Sequence, residues 1–299
     1  MATPGRGWYN QGVLSLFRKG KEKEVDEAVP GAFGRFELHE RINSGGMADI
    51  WLASDSRGKT YALRRLRSVL QGDFSARRRF NRGCETLAKV QSHDNVIGYY
   101  EHGKLEGHHY CLMDYVEGDN LKELYARHDP VLLENVAQII LDAAAALEHV
   151  HECGFMHLDF KPENLHVSRN GVVKLVDFDL AQPITGKPHR PSKNPGTPTY
   201  MAPEQLKGEP FDHRVDIFAF GVSAYELLTN CKPFEGETPT EIVAAQSNPR
   251  HPVPLRHYNP DLPPKLEACI LKCLHFNPDQ RYGFMSMLTH DLKTVLYAQ

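Results

Sequence analysis

The run His157-Leu158-Asp159-Phe160-Lys161-Pro162-Glu163-Asn164, followed by Asp177-Phe178-Asp179, constrains this chain more than any other stretch. It sets an acid, a lysine and two candidate metal ligands at fixed offsets. Asp159 is able to accept a proton from an attacking hydroxyl, and Lys161 to neutralise charge on a phosphoryl group in motion. Asn164 and Asp177 offer oxygens to Mg2+. Two residues separate Lys161 from Asn164, which makes a tight loop rather than a helix face. The stretch Gly171-Val172-Val173-Lys174-Leu175-Val176 then reads as a short strand that delivers Asp177.

Composition narrows the partners. A chain of 299 residues holds one domain-sized unit with ample core. Its formal net charge of -3 implies no strong attraction to nucleic acid or to a membrane surface, so neither is expected as a partner. The six cysteines (Cys84, Cys111, Cys153, Cys231, Cys269 and Cys273) lack CxxC spacing. They read as reduced thiols of a cytoplasmic protein. The sixteen histidines show no ligand spacing that argues for a metal site of their own. No run of 18 apolar residues suggests a membrane span. Leu14-Ser15-Leu16-Phe17 is too short for a secretory leader, and Ala2, rather than glycine, follows Met1, against N-myristoylation.

Along the chain, residues 1–34 read as an extension, rich in Gly, Lys and Glu with one apolar island from Val13 to Phe17. It is expected to be flexible, or else to dock as a short helix. Residues 35–299 read as the folded domain. Short strands are expected around 36–39, 42–52 and 60–66, then a helix over 77–90 with Phe80, Cys84, Leu87 and Val90 on one side. Two more strands follow around 96–100 and 109–113. Gly118 marks a linker before a largely helical remainder.

The catalytic-loop run and the Asp177 segment resemble the corresponding parts of eukaryotic-type protein kinases. Further motifs fall in the right order. Gly196-Thr197-Pro198-Thr199-Tyr200-Met201-Ala202-Pro203-Glu204 looks like the segment that holds a substrate peptide in Ser/Thr kinases. Asp216 resembles the buried helix aspartate that anchors the catalytic loop, and Arg281 should pair with Glu204. The resemblance covers about residues 36–297 and implies an α+β, two-lobe kinase fold. An N-lobe of 35–116 would carry five strands and one helix, and a C-lobe of 117–299 would be mostly helical. Lys161 two positions after Asp159, with Thr197 able to bridge them, implies the Ser/Thr type, and Gly45-Gly46-Met47 looks like the bacterial subgroup.

By motif position the resemblance also implies an ATP–Mg2+ site. Asp159 would be the base, Lys161 the phosphate stabiliser, and Asn164 and Asp177 the metal ligands. Ile42, Gly45 and Gly46 would cover the nucleotide, Ile50 and Ala62 would form the ceiling over the adenine, and Met113 the gatekeeper. Asp114 and Val116 would supply the hinge hydrogen bonds, Asn120 the ribose contact, and His166 the floor, where the family usually has an apolar residue.

The N-lobe departs from the family pattern. The phosphate loop keeps only the middle of three glycines, with Asn43, Gly45 and Ala48 at the three positions. Arg64 stands where the family has its phosphate-holding lysine; it keeps the charge but is longer, planar and forked. The helix glutamate that pairs with that lysine falls on Cys84 or Gly83, the latter preferred, and neither is acidic. Both members of the ion pair therefore read as lost, unless Glu85 turns in to meet Arg64. Asp179 replaces a glycine and adds a second carboxylate near the metal, with a consequence of either sign. Leu158 replaces the arginine that reads an activation-loop phosphate, which argues against activation by that route. The expected function is a kinase-fold protein binding ATP–Mg2+, with phosphoryl transfer to protein Ser or Thr weak or lost, acting through protein partners. The alternative is a competent atypical Ser/Thr kinase in signalling.

Overall fold

The computed structural model describes residues 29–190 and 196–297. Residues 1–28, most of the expected extension, and Ser192 and Lys193 lie outside the described residues. The N-lobe sheet has six strands rather than five: β1 (Gly31–Phe33), β2 (Phe36–Ser44), β3 (Ala48–Ser54), β4 (Thr60–Leu66), β5 (Tyr99–Leu105) and β6 (His108–Met113), in the order β1-β2-β3-β4-β6-β5. The added strand pairs Gly31 with Leu38 and Phe33 with Phe36. Three residues are too few to show alternation, so β1 lay inside the stretch read as extension.

Period-two alternation gives this sheet two faces. Phe33, Phe36, Leu38, Trp51, Leu63 and Leu112 pack on one face as a small cluster. Ala62 and Leu66 join the main core on the other. Arg65 follows the first face, its guanidinium stacked 5.6 Å from the Phe33 ring and 5.7 Å from Trp51. Arg64 therefore points toward the cleft. Helix α1 (Phe74–Val90) starts three residues earlier than the apolar pattern suggests, because Asp73 caps it by accepting from the Ser75 and Ala76 amides. Its buried face carries Phe80, Gly83, Cys84, Leu87 and Val90, whereas Glu85 is exposed.

The rest is mostly helical. After β7 (Gly118–Asn120) come α2 (Leu121–Ala126) and the long α3 (Pro130–Glu152). Four short strands follow: β8 (Phe155–Met156), β9 (Leu165–Ser168), β10 (Val173–Leu175) and β11 (Gln182–Pro183). Then come α4 (Pro203–Leu206), α5 (Arg214–Thr229), α6 (Pro239–Ser247), α7 (Leu255–Tyr258), α8 (Pro264–Cys273) and α9 (Met285–Tyr297). Helix α5 is apolar on nearly every side, as a central core helix must be. By length and composition alone α3 is apolar enough to cross a membrane, but it is a core element here. Ten of its residues are buried, and Pro130 at its first turn follows the Asp129 cap. Its buried Asp142 accepts from the Val173 amide, which fixes β10 and hence the segment leading to Asp177.

Candidate active site

Asp216 builds the catalytic loop. Its carboxylate, 1% exposed, accepts from the backbone amides of His157 and Leu158, both at 2.8 Å, and bonds His151 Nε2. Burial pushes this carboxyl up, but the His151 bond, the imidazoles and the amides outweigh it, and it is held below the usual carboxylate range. The anchoring has a consequence at Leu158, which is held at φ 64, a left-handed conformation costly for a bulky side chain. His157, fully buried, donates from Nε2 to the Val176 carbonyl at 3.1 Å and accepts the Asp159 amide at Nδ1. One imidazole thus ties the loop bearing Asp159 to the segment bearing Asp177.

Within this frame Lys161 Nζ donates to both Asp159 oxygens at 3.1 and 2.9 Å and to Thr197 Oγ1 at 3.1 Å. Asn164 Nδ2 donates to the Asp159 carbonyl at 2.7 Å and to its carboxylate at 3.1 Å. Asp177 sits at φ 60 just beyond β10. Burial raises its carboxyl, but Arg64 and the Asp179 amide outweigh burial and hold it below the ordinary value. The four residues assigned to catalysis are therefore brought together.

A cleft of about 530 Å3 lies between the lobes, within the range of roughly 300–1,000 Å3 of small-molecule sites. Ile42, Ile50, Ala62, Arg64, Met113, Asp114, Val116, Asn120 and His166 line it together with Asn164 and Asp177. Gly45 and Gly46 line the adjoining space with Arg64, Asp159, Lys161 and Asp177. The Asp114 amide is taken by the Gly98 carbonyl at 2.9 Å, so its own carbonyl is the group left for a hinge contact. Asn120 Oδ1 caps α2 by accepting from the Glu123 amide at 3.0 Å. Burial lowers the His166 imidazole below its ordinary value, so at neutral pH it presents an uncharged ring.

The clamp differs from the sequence expectation. Arg64 is not left without a partner, and Glu85 does not turn in. Instead Arg64 Nη1 donates to Asp179 Oδ1 at 2.7 Å, and Nη2 is bonded to Oδ2. Nη2 also lies 3.7 Å from Asp177 Oδ1. Both Asp179 oxygens accept, in the bidentate fork that arginine makes with an ionised carboxylate. Burial opposes charge on Arg64, but Asp179 and Asp177 outweigh it and hold the guanidinium well above its ordinary value. Gly83 faces this carboxylate directly: a Cβ built there would stand 2.5 Å from Asp179 Oδ1 and 3.0 Å from its Cα. Arg82 Nη2 adds a donor to the Asp179 carbonyl at 3.3 Å. Asp179 is the residue whose role sequence reasoning missed. The available signal was the coincidence of three departures, at 64, 83 and 179, in one chain.

In the C-lobe, Arg281 donates from Nη1 and Nη2 to Glu204 at 2.7 and 2.8 Å in a buried pair. Residues 36–292 match the family model described as the protein kinase domain. The chain belongs to the protein kinase family. It is 35% identical over 266 residues to serine/threonine-protein kinase PknB of Mycolicibacterium smegmatis, covering 86% of this chain and 42% of that protein. With the protein of the same name from Mycobacterium tuberculosis it shares 33% identity over 269 residues, covering 87% and 43%. The kinase domain thus spans about two fifths of the length of these relatives.

Protein kinases generally use ATP and Mg2+, and the residues of this domain fit both. Asn164 spends its amide hydrogens on Asp159, leaving Oδ1 as a ligating atom beside the ionised Asp177. A Cβ at Gly46 would find no atom within 4 Å, so the hairpin turn is open to a close-lying phosphate. The turn closes through the Gly45 amide on the Ala48 carbonyl at 3.0 Å, which accommodates Ala48 at the third loop position.

Proposed function

We propose that this domain is a catalytically competent, atypical Ser/Thr protein kinase that transfers the γ-phosphoryl group of ATP to a protein hydroxyl. The observation that carries the reading is the Asp159–Lys161–Thr197 constellation, formed beside Asn164 and Asp177. Bound Mg2+ would supply charge neutralisation between the phosphates, held by Asn164 and Asp177. Asp159 orients the acceptor hydroxyl and takes its proton, while Lys161 steadies Asp159 and offers positive charge to the transferring group. The names of the relatives support the Ser/Thr type. The Asp177 carboxylate and the bidentate Arg64 favour a retained phosphate site over a dismantled one. Cys84, Cys111, Cys153, Cys231, Cys269 and Cys273 are unpaired, which supports placing the domain in the cytoplasm.

A second reading, a nucleotide-binding pseudokinase that works through protein partners, is favoured by one feature. Both terminal nitrogens of Arg64 are engaged by Asp179, which leaves less of the guanidinium for phosphate. Transfer of labelled phosphate from ATP–Mg2+ to a generic protein substrate separates the two. The kinase reading expects activity that falls by about 10^2- to 10^4-fold in Asp159→Asn. Wild-type transfer no greater than that of the variant would leave the pseudokinase reading standing.

A further inference from the structure

We infer that Asp179 is the positioning residue of the nucleotide clamp. It supplies from the metal-binding segment the carboxylate that the family's clamp takes from its N-lobe helix, and Gly83 supplies the space. The inference rests on reading the cleft as a nucleotide site. Three observations converge on it. Arg64, on β4, reaches the cleft with its fork closed on Asp179. Helix α1 has no acidic side chain at the facing position, and nothing larger than glycine fits there while Asp179 keeps its place. Asp179 is held from the other side as well, its carbonyl accepting from Arg82 and its amide donating to Asp177 Oδ1 at 3.2 Å.

The physical consequence is a change in what the clamp is attached to. A lysine paired with a helix glutamate is set only when the helix lies against the sheet. Arg64 is instead set by a residue two positions from the metal ligand Asp177, and it also stands 3.7 Å from that ligand. The phosphate-facing cation and the metal-facing carboxylate are therefore placed together, by one short segment. The longer arginine suits this arrangement, because its planar fork holds a fixed orientation against the carboxylate while Nε and the remaining N–H groups stay available. Stacking 5.0 Å from the Phe80 ring further limits where the guanidinium goes.

Moving the carboxylate tests the inference on the full chain. Affinity for ATP–Mg2+ is read by titration with a fluorescent ATP analogue, and transfer by labelled phosphate. Asp179→Asn keeps the shape and removes the charge. It should weaken nucleotide binding by about tenfold or more and transfer by about 10^2-fold, the scale of a mispositioned contact. Asp179→Gly should do the same. The double variant Gly83→Glu with Asp179→Gly returns a carboxylate to the helix, against a residual backbone contact of 3.0 Å at position 179, and should recover part of the lost affinity, which a merely structural role for Asp179 does not predict. Binding within twofold of wild type in folded Asp179→Asn would overturn the inference. So would a folded double variant no better than Asp179→Gly. Absence of transfer in the wild-type chain would remove the kinase reading alone, because the affinity series still decides the role of Asp179.

Discussion

Gly83 sets two residue-scale effects against each other. Glycine inside a helix costs about 1 kcal/mol relative to alanine, so Gly83→Ala should stabilise α1 by propensity alone. Its new Cβ, however, would stand 2.5 Å from Asp179 Oδ1 and 3.0 Å from Asp179 Cα, and the latter is backbone that cannot swing away. Overpacking of this kind costs typically ~1–3 kcal/mol, which outweighs the propensity gain. Gly83→Ala should therefore lower the stability of the domain in urea unfolding, and the same change made on Asp179→Gly should cost less, because the 2.5 Å contact with the carboxylate is gone and only the backbone contact at 3.0 Å remains. A stabilising Gly83→Ala in the wild-type background would show that the carboxylate does not fill that space. The residues involved were each legible in the sequence as departures at 64, 83 and 179. Their contact was not, because Arg64 and Asp179 are 115 positions apart and no periodicity links them. A motif read position by position reports a missing glutamate; only the folded chain reports that another segment brings its charge.

Between elements, the buried Glu204–Arg281 pair joins the start of α4 to the turn before α9. Arg281 also donates to the backbone carbonyls of His275, Arg214 and Phe276, so one side chain gathers three chain segments. Removing the cation leaves Glu204 buried and unpaired, which costs about 3–5 kcal/mol. Arg281→Met should lower thermal stability accordingly. Glu204→Met together with Arg281→Met should lose less than Arg281→Met alone, because no orphaned charge remains. Equal losses in the single and double variants would mean that the backbone bonds of Arg281, not its pairing, carry the effect. This pair was legible because both partners sit in recognisable motifs. Helix α1 shows what was not: its apolar stripe marks the buried face, but its first turn is exposed, so only the Asp73 cap records the true start. The sixth strand was lost for a similar reason, since β1 is fixed by pairing with β2 rather than by any pattern of its own.

For the whole molecule, acid stability follows from where its histidines lie. Burial lowers His93, His109, His166 and His189 below the ordinary imidazole value. For each, the unfolded chain takes up a proton at a higher pH than the folded chain does. Between those two values the unfolded state binds more protons, so stability rises with pH and falls on acidification. The loss begins as pH drops through the ordinary histidine value of about 6.5 and is complete below the folded values. Asp177 and Asp216, held low, add a separate loss that begins only near the ordinary carboxylate range. Asp179, held high, works in the opposite direction, from the ordinary carboxylate value up to its own raised one. The histidines therefore dominate just below neutrality, where the carboxylates held low are still ionised in both states. Calorimetric scans should show the melting temperature falling steadily from pH 7.5 to pH 5.5. His166→Leu should flatten that fall by removing one contributor, and it should also remove the imidazole's share of any pH dependence in nucleotide affinity, since this ring lines the cleft. A melting temperature that is flat or rising over the same interval would show that these partly buried imidazoles accept protons as readily folded as unfolded.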